Sequence, residues 1–441
     1  MTSMSNIEVV ASNVTSNGSI SYRNGNPVIS FLIGEQDRLL MGNSVRFCGK
    51  FVARLTSTSL SASDNSPLRM NEKLGVYSCI DTLTIKSQRT GQTIESIRHY
   101  NRFLASYLPV TNSQEDAMTH MNETALILPN WDAQRQSVVN IPSGSTTQNS
   151  FCMPLPCGIL NGRNPIPLMA EAVGGVIVEL HLSPDSQVFY SNTTTSASIT
   201  DSYYEFSGVS LVAELMEPEP AVVQSIKSQT SGTFEYNSIS SYYQTINSAN
   251  GILNFQLGLT RVLGVFANLC PAAHINNMLH NGLATLYPTN ADASAAEIDE
   301  LFFTRNGEKF PINYNINTIQ RDNQNDSVNW DTDRTVDSQI VYNYMNAVQK
   351  FTGLNRTQIN QVNTRYTDAD TYDKFFADGG SGFGLGVSYD SISDQGVDFS
   401  KVNWGMNLSL RLDTDSPQSV FLFVHAKNTM VFGPQGLQIM A

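Results

Sequence analysis

Cys152 and Cys157 lie five positions apart in FCMPLPCGILNGRNPIPLMAEAVGGVIVELHL, residues 151–182, the stretch with the most chemical promise in this chain. Close thiol pairs either ligate a metal or close a disulfide. A structural zinc site takes four ligands, commonly from two such pairs, and no second pair follows this C-x4-C. In an extended chain an odd spacing sends two side chains to opposite faces, which argues against a bond between Cys152 and Cys157. Cys48, Cys79 and Cys270 are scattered, and the total of five is odd. That usage predicts free, buried thiols in a reducing compartment rather than a disulfide framework.

The other chemistry-bearing types are equally dispersed. His99, His120, His181, His274, His280 and His425 form neither H-x-H nor H-x-x-x-H, so the metal set of an enzymatic cupin-type jelly roll is missing. His181 and His425 fall in predicted strands, where a hydrogen-bonded structural histidine is expected. GGSGFGLG (379–386) lacks the Lys-Ser/Thr that completes a phosphate-binding loop, and reads as a turn. The acidic runs DNQNDSVNWDTD (322–333) and TDADTYD (367–373) lack the glycine and closing glutamate of a calcium loop, and read as solvated loops. No catalytic, cofactor-binding or metal-ligating residue is assigned, and no cofactor is expected. The sequons at Asn122 and Asn407 are expected by chance in so Asn- and Thr-rich a chain.

What, then, do these residues sit on? At 441 residues the chain is long enough for two or three domains. Hydrophobic residues make up 41% and charged residues only 15%, with Ser, Thr, Asn and Gln taking the surface. That balance suits pleated sheet better than helix. The net charge is −13, and no Lys/Arg cluster is present. A protein that neutralises phosphates needs such a cluster, so direct nucleic-acid binding is not expected. MTSMSNIEVV has no basic n-region or apolar h-region, which predicts no secretory signal peptide. No apolar run reaches the length of a transmembrane helix.

Short apolar segments recur between Gly, Asn, Pro, Ser and Asp clusters, which predicts strands separated by turns. In the first half they are 27–33, 45–57, 75–86, 174–182, 186–190 and 203–216. In the second they are 252–258, 261–269, 405–412, 419–426 and 429–433. Two segments carry helical spacing instead. One starts at Thr93 through Ile94, Ile97, Asn101, Leu104 and Leu108, and stops at Pro109. The other, 338–350, places Ile340, Val341, Tyr344, Met345 and Val348 behind a Ser338 cap.

An internal repeat organises these elements. GVIVELHLSPDS (175–186) matches GMNLSLRLDTDS (405–416), VISFLIG (28–34) matches ILNFQLG (252–258), and R-x-x-G-x-F occurs at Arg46–Phe51 and Arg261–Phe266. The three matches keep the same order, which points to duplication. The expected class is therefore all-β: two tandem eight-stranded jelly rolls with short helices inserted in loops. The expected division is an N-terminal arm at 1–25, a first roll at 26–220 and a second at 221–441, parted near MEPEPAVVQSIKSQTSG.

The 151–182 stretch resembles the block late in the first jelly roll of double jelly-roll major capsid proteins, the lineage of virophages, polinton-like viruses, nucleocytoplasmic large DNA viruses, adenovirus hexon and tailless membrane-containing phages. Its pattern is apolar-x-Pro-Leu, Gly-apolar-Leu-Asn, Ile-Pro-Leu and a Gly-led strand. VFLFVHAKNTMVFGPQGLQIMA is similar to the closing strands of that family, and ISFLIGEQDRLLMGNSVRFCGKFVARL to its opening ones. The resemblance runs nearly end to end and is one of packing, not of an active-site signature. It implies a homotrimer whose six rolls form a pseudo-hexagonal tile of an icosahedral capsid around a double-stranded DNA genome. It further implies penton and minor capsid proteins as partners, assembly inside the host cell, a place in the virion and no enzymatic activity. The alternatives are a minor capsid protein, a receptor- or glycan-binding β-sandwich and a double jelly-roll hydrolase.

Overall fold

The computed structural model describes residues 3–13, 18–25, 27–55, 68–71, 74–111, 124–127, 149–162, 164–190, 200–228, 231–248, 250–283, 298–309, 343–344, 346–348, 385–389, 396–401, 406–412, 417–433 and 436–441. Sixteen strands among them fall into two equivalent sets of eight, apart from five two-residue strands and Gly436–Met440, which pairs with the last of the sixteen. The first set is β1 (Ser3–Val10), β2 (Val28–Ile33), β3 (Arg46–Leu55), β4 (Ile80–Ser87), β5 (Thr93–Arg98), β6 (Asn149–Pro154), β7 (Val176–Leu182) and β8 (Ser202–Glu217), with helix α1 (Tyr100–Thr111) between β5 and β6. Helix α2 (Pro220–Ser228) links it to β9 (Gly232–Ile246), β10 (Asn250–Phe255), β11 (Val262–Pro271), β12 (Ile298–Arg305), β13 (Glu308–Lys309), β14 (Leu385–Ser388), β15 (Met406–Leu412) and β16 (Gln418–Gly433).

The strand orders are β1-β8-β3-β6 facing β2-β7-β4-β5, and β9-β16-β11-β14 facing β10-β15-β12-β13. Adding eight to each label of the first pair gives the second pair. Every pairing among these sixteen strands is antiparallel. Two four-stranded sheets wound in that order are a jelly roll, and here there are two.

All three sequence matches fall on equivalent strands: β7 with β15, β2 with β10, and β3 with β11. Gly49 lies opposite β6, and its counterpart Gly264 lies opposite β14. A Cβ on either would crowd that neighbouring strand, at 3.0 Å from the Phe151 ring and 3.3 Å from the Val387 carbonyl. The repeated glycine thus has one physical role in both rolls.

Period-two burial built the strands that the sequence reveals. In β7, Val176, Val178, Leu180 and Leu182 are buried and the residues between them half-buried, as a strand with one core face should be. The chain enters β7 through Gly174 and Gly175, at φ +68 and +78, a backbone conformation open to glycine at little steric cost. Residues 418–426 of β16 are buried throughout, and the rest of the strand alternates.

Several expectations are corrected. The segment expected as an N-terminal arm carries strand β1, which pairs with β8 along its whole length from Ser3 to Val10. The helical spacing from Thr93 begins as strand, because β4 pairs with 93–98. His99, at φ +55, breaks the strand, and the helix runs from Tyr100 past Pro109 to Thr111. The strand expected from 75 starts at Ile80, after a 3-10 turn over Gly75–Cys79. The strand expected at 186–190 is a helical turn over Asp185–Val188 and then only Phe189–Tyr190. The two strands expected at 419–426 and 429–433 are one, held in unbroken register against β9. Of the helix expected at 338–350, residues 343–344 and 346–348 are helical; Ser338, Ile340, Val341 and Met345 lie outside the described residues.

Candidate functional site

The first roll is packed around aromatic rings. Phe47 meets Phe31 and Phe206 edge to face and Phe151 at a tilt, with centroids 5.9, 5.9 and 4.9 Å away, and Phe51 and Tyr204 extend the cluster. The second roll is filled mainly by aliphatic side chains: Val262, Val265, Val420, Leu422 and Val424, with Phe255 and Phe303. The odd-numbered residues of β16, Phe421 and Phe423, leave this second core and join the first. The β9-β16-β11-β14 sheet is therefore buried on its outer face as well, where it meets the first roll.

That junction is built by α1 and β5. Phe103 lies 6.0 Å from Phe266 and 5.7 Å from Phe423 between ring centroids. The Arg102 guanidinium sits 4.2 Å over the Phe421 ring, and the His99 ring meets Phe421 at 5.0 Å. Asn268 Nδ2 donates to the Arg102 carbonyl at 3.0 Å and to Ser106 Oγ at 2.9 Å. Tyr236 Oη donates to the Ile94 carbonyl at 2.8 Å, and the Arg98 N–H to Ser241 Oγ at 2.9 Å.

Glu95 of β5 is the acidic centre of the contact. It is 3% exposed. Its carboxylate accepts the N–H of Gly158 at 3.0 Å, of Ile159 at 2.9 Å and of Ile239 at 2.7 Å. The first two belong to the loop after β6 and the third to β9, so one side chain ties a loop of the first roll to a strand of the second. Burial pushes the Glu95 carboxyl up to about 7, against the three N–H donors, which favour the charged form.

The proline-rich stretch gains its meaning here. Tyr77 Oη donates to the Pro154 carbonyl at 2.7 Å and Tyr100 Oη to the Pro156 carbonyl at 2.9 Å. These bonds hold the loop so that Gly158 passes against the second roll. A Cβ at 158 would stand 2.0 Å from the Asn237 carbonyl oxygen, so only glycine fits. Sequence reasoning missed Glu95 and Gly158. The available signal was a lone acid in the apolar strand TIESIR and a glycine directly after Pro-Leu-Pro-Cys.

The remaining candidates meet only in pairs. Cys79, Cys157 and Cys270 are buried, but Cys152 is exposed and Cys48 half-buried, which corrects the expectation of uniformly buried thiols. Cys152 faces Cys48, not Cys157. His274 and His280 stack with centroids 3.9 Å apart. No cluster of three or more His, Cys, Asp or Glu able to hold a metal occurs among the described residues. Leu385 and Gly386 of the glycine-rich segment begin β14; residues 379–384, both acidic runs, His120, Asn122 and Gly405 lie outside the described residues. Among the described residues no helix is long and apolar enough to cross a membrane.

The outer faces left free are the other notable surface. On the β1-β8-β3-β6 sheet, Met4 and Val10 are 60% and 57% exposed, and on the second roll Ile252 of β10 is 67% exposed.

The topology defines a double jelly roll. The chain is similar over its full length to PBCV-1 VP54, as fitted into a reconstruction of the virophage Sputnik, with 12% identity, a TM-score of 0.57 and 97% of that chain covered. It is similar to the Faustovirus major capsid protein with 10% identity and a TM-score of 0.58, covering 98% of this chain and 91% of that one. A Sputnik virophage chain gives 10% identity and a TM-score of 0.52, covering 99% of this chain and 88% of that one. No protein-family model and no curated protein sequence matches the chain.

Proposed function

We propose that this chain is a major capsid protein, a structural subunit that assembles as a homotrimer and tiles the icosahedral shell of a double-stranded DNA virus or virophage. The observation that carries the reading is the junction inside the chain. There the β5 strand and α1 of one roll cover the outer face of the β9-β16-β11-β14 sheet of the next. The equivalent face of the first roll, β1-β8-β3-β6, carries exposed Met4 and Val10 and is the natural seat for the second roll of another copy. Such a contact is heterologous, and heterologous contacts close into rings when the rotation permits. Three chains then present six rolls around one axis.

In this reading the two rolls act as units divided at the 218–231 connection, and the protein's place is the virion. Its partners are neighbouring capsomers, with penton and minor capsid proteins at the vertices and seams. A net charge of −13 keeps the subunit from collapsing onto the genome it encloses. No catalytic role is assigned. Light scattering on the purified chain tests the reading. The expected particle contains three 48.5 kDa chains and appears pseudo-hexagonal in negative stain; a monomer that persists at high concentration overturns the proposal.

A further inference from the structure

Strands β3 and β6 place two cysteines in one cross-strand pair. Cys48 and Cys152 are directly opposite in the antiparallel register, where Cα atoms stand about 4.5 to 5.5 Å apart, inside the window that disulfides occupy. Their sulfur atoms are 2.8 Å apart. Both side chains lie on the outer face, because Phe47 and Phe51 on β3, and Phe151 and Met153 on β6, point into the core. β6 is the edge strand of its sheet, so a small reagent reaches Cys152 from solvent. The other three cysteines are buried elsewhere.

We propose that Cys48 and Cys152 form a redox-active dithiol that low-molecular-weight disulfides convert to a cross-strand disulfide, stapling edge strand β6 to β3. The Cys152 thiolate attacks one sulfur of the reagent RSSR, giving Cys152–S–S–R and releasing one RS⁻. The Cys48 thiolate then attacks Cys152 Sγ, forming the Cys48–Cys152 bond and releasing the second RS⁻. The two thiol protons pass to the departing thiolates. The protein loses two electrons, and RSSR gains them in becoming two RSH. Cys152 attacks first because it is exposed, whereas burial and the adjacent Cys152 push the Cys48 thiol up to about 12. Once Cys152 carries RS, it no longer opposes ionisation of Cys48.

The bond lies within one chain, but both sulfurs share the face proposed to seat another copy, so the reaction is run on chain diluted until light scattering reads monomer, where Cys152 is exposed. The bond closes the chain from 48 to 152, which contains β4, β5 and α1, and so fixes the segment that builds the junction. The test incubates the purified chain with glutathione disulfide, unfolds it in denaturant, alkylates the remaining thiols with iodoacetamide and maps peptides without reduction. Alkylatable thiols should fall from five to three, with one peptide linked through Cys48 and Cys152. Dithiothreitol should restore all five, and the oxidised chain should unfold at a higher temperature than the reduced one. C48S should stop the reaction at a glutathione adduct on Cys152, and C157S should leave the linked peptide intact. A stable adduct on Cys152 with Cys48 still free in the parent chain overturns the proposal, as does a full count of five after oxidation.

Discussion

The two rolls share one topology and differ in what covers the same sheet. In the second, the inner strands of β9-β16-β11-β14 are buried on both faces: β11 from end to end, and β16 from Gln418 to Ala426. In the first, β1-β8-β3-β6 packs its aromatic core on one side and exposes Met4, Val10 and Cys152 on the other. Identical strand order therefore does not dictate identical surfaces. A sheet written as continuous apolar sequence is one that meets protein on both sides, and an alternating one has a face to spare.

The sharpest way to break this contrast is to truncate one residue on each strand face. Phe423→Ala removes a fully buried ring between Phe103 and Phe266 and should destabilise by about 3–5 kcal/mol. Val10→Ala on the open face should stay within about 0.5 kcal/mol. Urea unfolding of the two variants measures both, and equal losses would contradict the difference between the faces. Next in size, Glu95→Ala strands three buried N–H groups and should lose about 3 kcal/mol, with little change in the isolated aromatic core of the first roll. Near-ultraviolet circular dichroism of the folded variant separates the two effects.

Protonation refines the same contact. The folded Glu95 carboxyl titrates at about 7 against 4.5 for a free one. The folded state therefore binds the extra proton between those pH values. The stability linked to it is fully present below about pH 4.5 and is lost as the pH rises to about 7, on the order of 3 kcal/mol. Cys157, Tyr236 and Tyr100 face the same pocket and stay neutral in this window, since burial raises all three. Glu95→Gln should remove this part of the pH dependence; unfolding free energies at pH 5 and pH 8 for both proteins give the comparison. The smallest effect on stability is expected from Met4→Lys or Ile252→Lys, within about 0.5 kcal/mol. In the proposed trimer, Met4→Lys should nonetheless weaken association in sedimentation velocity, with Ile252→Lys as the second face tested, and unaltered association in both would rule these faces out of a contact between chains.

Which strands were visible in the sequence follows from the same contrast. β2, β3, β7, β8, β10, β11, β15 and β16 carry apolar residues dense enough to announce themselves, and all three repeated pairs fall on them. β9, GTFEYNSISSYYQTI, has few aliphatic residues and no strict alternation, since its partners lie in β16 and the first roll rather than in one core. β1 was hidden for a related reason: Ile7 and Val9 are its only half-buried aliphatic residues, and pairing with β8 supplies the rest. The Cys48–Cys152 pair was invisible because register, not spacing, joins residues 104 positions apart. The two cysteines within 151–182 sit in different surroundings, Cys152 exposed and Cys157 buried. The role of that stretch emerged only with the Tyr77, Tyr100 and Glu95 contacts that hold it.

Helix α2, which buries none of its residues and touches the first roll through Lys227 and Asp37 at 2.7 Å, has a kinetic consequence. A short tether holds its two ends at an effective concentration of roughly millimolar. The contact within the chain is thus searched for at far higher concentration than any contact between chains. Covalent connectivity then imposes an order of events: the two rolls of one polypeptide close on each other before any contact between chains can compete.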